Sequence, residues 1–208
     1  KQDMIRIADY VLAHGASAPD CLWPNLFYPY NTVVHSGIYD GDMMGFSVPP
    51  VLDVLQPDKS AWFGAELVGL YRMTGQTKYL DAAVGIADTL VDSVIAGDND
   101  HSPWPFRVNA VTGDIVSPYT SAWTGALQLF DGLIQLGAGR VNDYGDTRQL
   151  VVDWLEQFPM QTNRWGPFFE DIGTWSDTEI NADTLALYIL EHTSWSPTWS
   201  QDVRAILD

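Results

Sequence analysis

The sequence predicts an all-α domain of repeated antiparallel helical hairpins, with long aromatic loops gathered on one rim. Three observations predict it. Apolar residues recur at spacings of three and four along most of the chain. The segment Ser-Ala-Trp-x-Gly-Ala occurs at residues 60–65 and again at 121–126. Short and long connections alternate between the helices that the spacing defines.

The first helix is expected over 2–14, with Ile5, Ala8, Val11 and Leu12 on one face. A loop of Pro and aromatic residues follows, with a short turn of helix near Val51–Leu55. The second helix is expected over 60–74, capped by Ser60 and ended by Gly75. The third runs over 77–95 and stops at Gly97. After a loop from Trp104 to Tyr119, the fourth runs over 120–136 to Gly137. The fifth covers 146–158 and ends before Pro159, which cannot continue a regular helix. A loop from Trp165 to Glu179 leads to the sixth, over 180–192, and the seventh starts near Trp199. No segment carries the alternation of a strand.

The repeat organises these elements. Trp62 and Trp123 are 61 positions apart, and Asn181-Ala182-Asp183 takes the equivalent place 60 positions further on. The loops keep the step: Trp104-Pro105-Phe106-Arg107 and Trp165-Gly166-Pro167-Phe168 are 61 apart, and Trp23-Pro24 reads as a third copy. A fixed period means stacked copies of one supersecondary unit. Packed helices alternate direction, so every long loop falls at the same end, which is the expected working end.

Composition sets the classes. With 208 residues, 46% of them hydrophobic, the chain reads as one domain over 1–208, whole or as part of a longer protein. A net charge of -17 repels nucleic acid and anionic membranes and favours neutral or cationic ligands. Nine Trp, nine Tyr and eight Phe call for a large core or a stacking surface. The lone Cys21 forms no internal disulfide and reads as an inert small residue. No apolar run reaches the ~20 residues of a membrane span. No signal peptide is visible, as in a mature or trimmed chain.

The Leu70-Tyr71-Arg72-Met73-Thr74-Gly75-Gln76-Thr77-Lys78-Tyr79-Leu80 hairpin and the two aromatic loops resemble the α/α-toroid, or six-hairpin, superfamily of carbohydrate-active proteins. The resemblance is architectural and matches no single family's catalytic motif. It implies a partial or complete toroid and a glycan cleft at the long-loop rim; the acidic charge favours an extracellular or periplasmic setting. About seven helices are expected here, against about twelve for a closed ring of six hairpins.

Candidate chemistry lies in the loops. His35, Tyr39, Asp40 and Asp42 sit among glycines that allow tight turns; the competing role for the two aspartates is to bond turn amides. Trp165, Phe168, Phe169, Glu170, Asp171 and Trp175 put carboxyls in an apolar setting, which raises their pKa and suits a general acid. Hydrolysis of a glycan needs two carboxyls about 5–10 Å apart, and Asp42 with Glu170 is the expected pair. Asp171 is the alternative to Glu170, while His35 or Tyr39 would serve as the base of a lyase, with Arg107 neutralising a uronate.

Trp23, Trp62, Trp104, Arg107, Tyr119, Trp123, Trp165, Phe168 and Asp183 are the expected substrate-binding residues. The competing role for the aromatics is a local core, and for Asp183 a first-turn helix charge. Trp154 reads as core. No cofactor is expected. Asp98, Asn99 and Asp100 are the one candidate for calcium, without the spacing of a twelve-residue cation loop. One Cys and four His argue against zinc, and hence against toroid enzymes that need it. The expected function is therefore glycoside hydrolysis, with a polysaccharide lyase or a non-catalytic glycan-binding domain as alternatives. The expected partner is an oligo- or polysaccharide; the oligomeric state is open.

Overall fold

The computed structural model describes residues 2–27, 53–165, 178–192 and 195–208, with the side chains of 178–180 left aside. These residues form seven helices: α1 (Gln2–His14), α2 (Pro57–Thr74), α3 (Thr77–Ser93), α4 (Thr124–Leu136), α5 (Val141–Leu155), α6 (Thr178–Glu191) and α7 (Trp199–Leu207). The chain is mostly helical, as its periodicity predicts.

It also holds strands that the sequence does not announce. β1 (Val54–Leu55), β2 (Arg107–Asn109) and β3 (Ile115–Ser117) form an antiparallel sheet in that order. Val54 pairs with Asn109, and Arg107 with Ser117. β1 stands where the described part of the helical turn expected near Val51–Leu55 would be; Val51 and Leu52 lie outside the described residues. Strands of two or three residues are too short for a period of two to register, and the partners of β1 lie some fifty positions away.

Helix ends differ from expectation where proline or tertiary bonds decide them. α2 begins at Pro57 rather than Ser60, with Gln56 before it and no side-chain cap. Proline is suited to the first helical position because its φ is preset and it has no N–H to leave orphaned. Ser60 is one turn inside, where its hydroxyl accepts from the Phe27 amide (3.0 Å) and donates to the Phe27 carbonyl (3.3 Å). α4 starts at Thr124, not 120, because Thr120 and Ser121 are taken up by other bonds: Thr120 Oγ1 accepts from the Ala122 amide, and Ser121 Oγ donates to the Trp165 carbonyl. α5 starts at Val141, and its helical path continues through Pro159 in a π turn over Glu156–Met160. The wider π turn takes the proline where a regular α-helix would break.

α2 and α4 run parallel. A β-carbon on Gly64 would meet Leu129, one on Gly132 would meet Val68, and the Arg72 guanidinium reaches Gln135 Oε1 at 3.0 Å. Positions thus advance together along both helices, in step with the sequence repeat. α6 follows the same direction: Asn181 bonds the same Trp165 carbonyl as Ser121, and further along Tyr188 bonds Asp131. The turns that end α2 and α4, each closed by a left-handed glycine (Gly75, φ 70°; Gly137, φ 63°), therefore share one end. The other end gathers the starts of α2, α4 and α6.

The core is aromatic at its centre. Trp104 packs on Trp123 (4.7 Å between rings) and on Phe130 (6.4 Å), and Phe130 stacks on Tyr144 (5.7 Å). Among the described residues, no helix is long and apolar enough to cross a membrane.

Candidate functional site

The end where α2, α4 and α6 begin is built by the sheet and by three backbone anchors. β1 leads into α2 through Gln56 and Pro57, and its pairing with β2 carries Arg107 to the same region. Ser60 of α2 holds Phe27, and Ser121 and Asn181 hold Trp165. Phe27 and Trp165 are the last described residues before the segments 28–52 and 166–177. The described residues that follow those segments, β1 and the start of α6, lie at the same end.

Asp58 lies in the first turn of α2 and is wholly buried. Its Oδ1 accepts from the Lys59 amide at 2.8 Å. Its Oδ2 has only the Lys59 ammonium at 3.8 Å and accepts no hydrogen bond among the described residues. Burial pushes the carboxyl up to about 6, against the opposing pull of Lys59 and, less, of Arg107. A carboxyl raised to about 6 exchanges its proton in mildly acidic solution, which is the range of a general acid or base. Its helix position favours the charged form, so desolvation wins here.

The expected site residues divide into three groups. His35, Tyr39, Asp40, Asp42, Phe168, Phe169, Glu170, Asp171 and Trp175 lie outside the described residues. Trp23 and Trp62 are half-buried, Arg107 is half-buried on β2 with its guanidinium 5.5 Å from the Phe106 ring, and Asp183 is exposed on α6.

Trp104, Trp123, Trp165 and Tyr119 correct the expectation of a stacking platform. Trp104 and Trp123 are fully buried, Trp165 is 3% exposed and Tyr119 8%. Trp104 Nε1 donates to the Leu90 carbonyl (2.7 Å), Trp165 Nε1 to Asn163 (3.0 Å), and the Tyr119 hydroxyl to the Arg164 carbonyl (2.7 Å). Rings buried to this degree present no open face to a sugar, and those of Trp104, Trp165 and Tyr119 also spend their polar groups inside the protein. Burial also pushes the Tyr119 phenol up to about 12. Trp154 is core, as expected, with its indole N–H on the Asp98 carbonyl.

The calcium candidate is taken up by its own loop. Asp98 Oδ1 accepts from the amides of Asp100 (2.7 Å) and His101 (2.8 Å) and meets the His101 ring at 2.9 Å. These bonds, the Asp100 amide first, hold the Asp98 carboxyl below its ordinary pKa. Asp100 pairs with Arg164 at 2.8 Å. No group of three or more His, Cys, Asp or Glu placed to hold a metal occurs among the described residues.

Two features escape sequence reasoning. Asp58 is one; its only local signal is the Pro57-Asp58 start of a helix. The other is a network from three helices. Asp131 of α4 accepts from Arg148 Nε of α5 (2.6 Å) and from the Tyr188 hydroxyl of α6 (2.5 Å). Arg148 also donates to Tyr188 (2.6 Å), and Tyr188 stacks on His192 at 4.1 Å. No spacing within one helix reveals such a network, because each helix supplies only one or two of its members.

Comparison with protein-family models, with curated proteins and with solved structures finds no match for this chain, so what the site does is read from its own residues.

Proposed function

We propose that the chain is a glycan-active enzyme that hydrolyses an oligo- or polysaccharide in a cleft at the end where α2, α4 and α6 begin, on a partial or complete α/α toroid. The observation that carries this reading is that Phe27, β1, Trp165 and the start of α6, which flank 28–52 and 166–177 in the chain, all lie at one end with Asp58 and the half-buried Trp62; Asp42 and Glu170 belong to those two stretches, outside the described residues. The parallel run of α2 and α4 in step with the repeat supports stacked hairpins.

Hydrolysis would use one protonated carboxyl to protonate the glycosidic oxygen and one ionised carboxyl to attack or to activate water. Asp42 and Glu170 are the proposed pair. Asp58 supports the reading as a third carboxyl at this end, with a pKa that burial raises to about 6. Trp62 would stack on a sugar ring, and Asp183 would bond its hydroxyls. The net charge of -17 suits a neutral or cationic glycan in an extracellular or periplasmic setting.

The test is a product assay on neutral and uronate polysaccharides with the parent chain and its Glu170→Gln variant. New reducing ends that fall at least a hundredfold in the variant are the expected result. Unsaturated, ultraviolet-absorbing products would instead make the chain a lyase and move the chemistry to His35, Tyr39 and Arg107. Binding without any product would make it a carbohydrate-binding domain.

A further inference from the structure

α2 and α4 contain four glycines, and three of them are explained by protein neighbours. A β-carbon on Gly64 would stand 2.9 Å from Leu129, one on Gly125 2.6 Å from Trp62, and one on Gly132 3.0 Å from Val68. Gly69 is different: a β-carbon there meets nothing within 4 Å. Glycine inside a helix costs about 1 kcal/mol relative to alanine, and close packing within the protein does not account for that cost here. Gly145 of α5 is equally open.

Gly69 lines a cavity of about 290 Å³ between α2, α4 and α6. Its size is near the lower limit of ligand pockets, about 300 Å³, which fits one sugar ring rather than a polymer. Glu66 and Arg72 of α2, Gln128 and Asp131 of α4, Glu191 and His192 line the rest of it.

The wall is both mixed and preorganised. Carboxylates accept, the Arg72 guanidinium donates, and the amide of Gln128 does both. The Asp131 charge is already met by Arg148, and the Arg72 guanidinium is held by Gln135 Oε1 at 3.0 Å. His192 is held by Tyr188, through its Nδ1 on the Tyr188 carbonyl at 2.8 Å and through the ring stack. Its Nε2 is thereby turned to Asp131, at 3.5 Å. No Phe, Tyr or Trp lines the cavity. Such a wall suits a compact neutral ligand whose every polar group both donates and accepts, which is the chemistry of hydroxyls.

We infer that this cavity is a binding site for a single neutral sugar ring or a polyol of similar size, with Gly69 keeping it open. The site is separate from the proposed cleavage cleft and stands whether or not that cleft cleaves anything.

The experiment is a calorimetric titration of the chain with D-glucose, D-xylose and myo-inositol, with D-glucuronate and D-glucosamine as charged controls. Each is repeated on Gly69→Leu, which fills the cavity, on Gln128→Ala, which removes a lining amide, and on Glu170→Gln. Saturable one-to-one binding of a neutral probe is expected, weakened at least tenfold by Gly69→Leu and by Gln128→Ala and unchanged in Glu170→Gln. If Gly69→Leu fails to fold by circular dichroism, Gln128→Ala alone decides. Three results would overturn the inference: no saturable binding of any neutral probe, binding that the cavity variants leave intact, or tighter binding of either charged sugar. Loss of binding in Glu170→Gln would place the sugar in the cleavage cleft instead and would also overturn it.

Discussion

Trp62 of α2 lies so close to Gly125 of α4 that a β-carbon at 125 would stand 2.6 Å from the indole Cγ. The two residues come from the two copies of the repeated segment, so the repeat packs against itself. A ring wedged this way cannot yield to a methyl group without shifting a helix. Gly125→Ala is therefore expected to destabilise the chain by about 1–3 kcal/mol. Gly69→Ala is expected to stabilise it by about 0.5–1 kcal/mol, since the methyl meets open space in a helix. Urea unfolding of both variants checks the pair; a shift of the same sign in each would refute it.

Asp58 binds its proton more tightly in the folded chain, at about 6, than in the unfolded chain, near 3.9. Between those values the folded state holds a proton that the unfolded state has lost. Stability therefore falls as pH rises through this window, by about 3 kcal/mol in all. Asp58→Asn retains the acceptor for the Lys59 amide and loses the charge. The variant should be more stable than the parent at pH 7, by an amount that shrinks toward pH 4. A stability difference independent of pH would rule this out.

Tyr188 donates to Asp131 and accepts from Arg148, and burial first, then the Asp131 carboxylate, push its phenol well above the ordinary value. Tyr188→Phe leaves both charged partners one bond short, at a cost of about 1.5–3 kcal/mol at pH 7. Above pH ~10 the unfolded phenol loses its proton while the folded one keeps it. The contribution is thus present below pH ~10 and is lost as pH rises further. Denaturant melts at pH 8, 10 and 11 should show the parent losing stability faster than the phenylalanine variant.

Trp104 and Trp123 are both fully buried but differ at the indole nitrogen. Trp104 Nε1 donates to the Leu90 carbonyl, whereas Trp123 Nε1 has no partner among the described residues. Replacing either by phenylalanine opens a similar void. Only Trp104→Phe also strands a carbonyl, so it should cost about 1–2 kcal/mol more than Trp123→Phe. Equal midpoints and slopes for the two variants would contradict the assignment.

Much of the helical frame is legible in the sequence. α1 begins and ends where Ile5, Ala8, Val11 and Leu12 set its face, and α3, α6 and α7 start within about two residues of expectation. Gly75 and Gly137 end α2 and α4 as their composition requires. The site is less legible. Trp104 and Trp165 have the composition of a sugar platform but are packed inside, and an aromatic ring suits either place. The pocket of polar groups around Asp131 draws on three helices, and Asp58 is buried in a first turn where acids are ordinarily solvated.

The sequence by itself determined most of the helices, because each depends on conformations within a few residues of the chain. Only the tertiary structure decided which tryptophans are core, that β1 joins β2, that burial raises the Asp58 pKa, and that Gly69 faces a cavity. Each of these depends on what a partner dozens of positions away places beside the residue: Trp62 against Gly125, Arg107 toward Asp58, Tyr188 on Asp131. Burial sets the dielectric and the room around a side chain, and neither is a property of its neighbours in sequence.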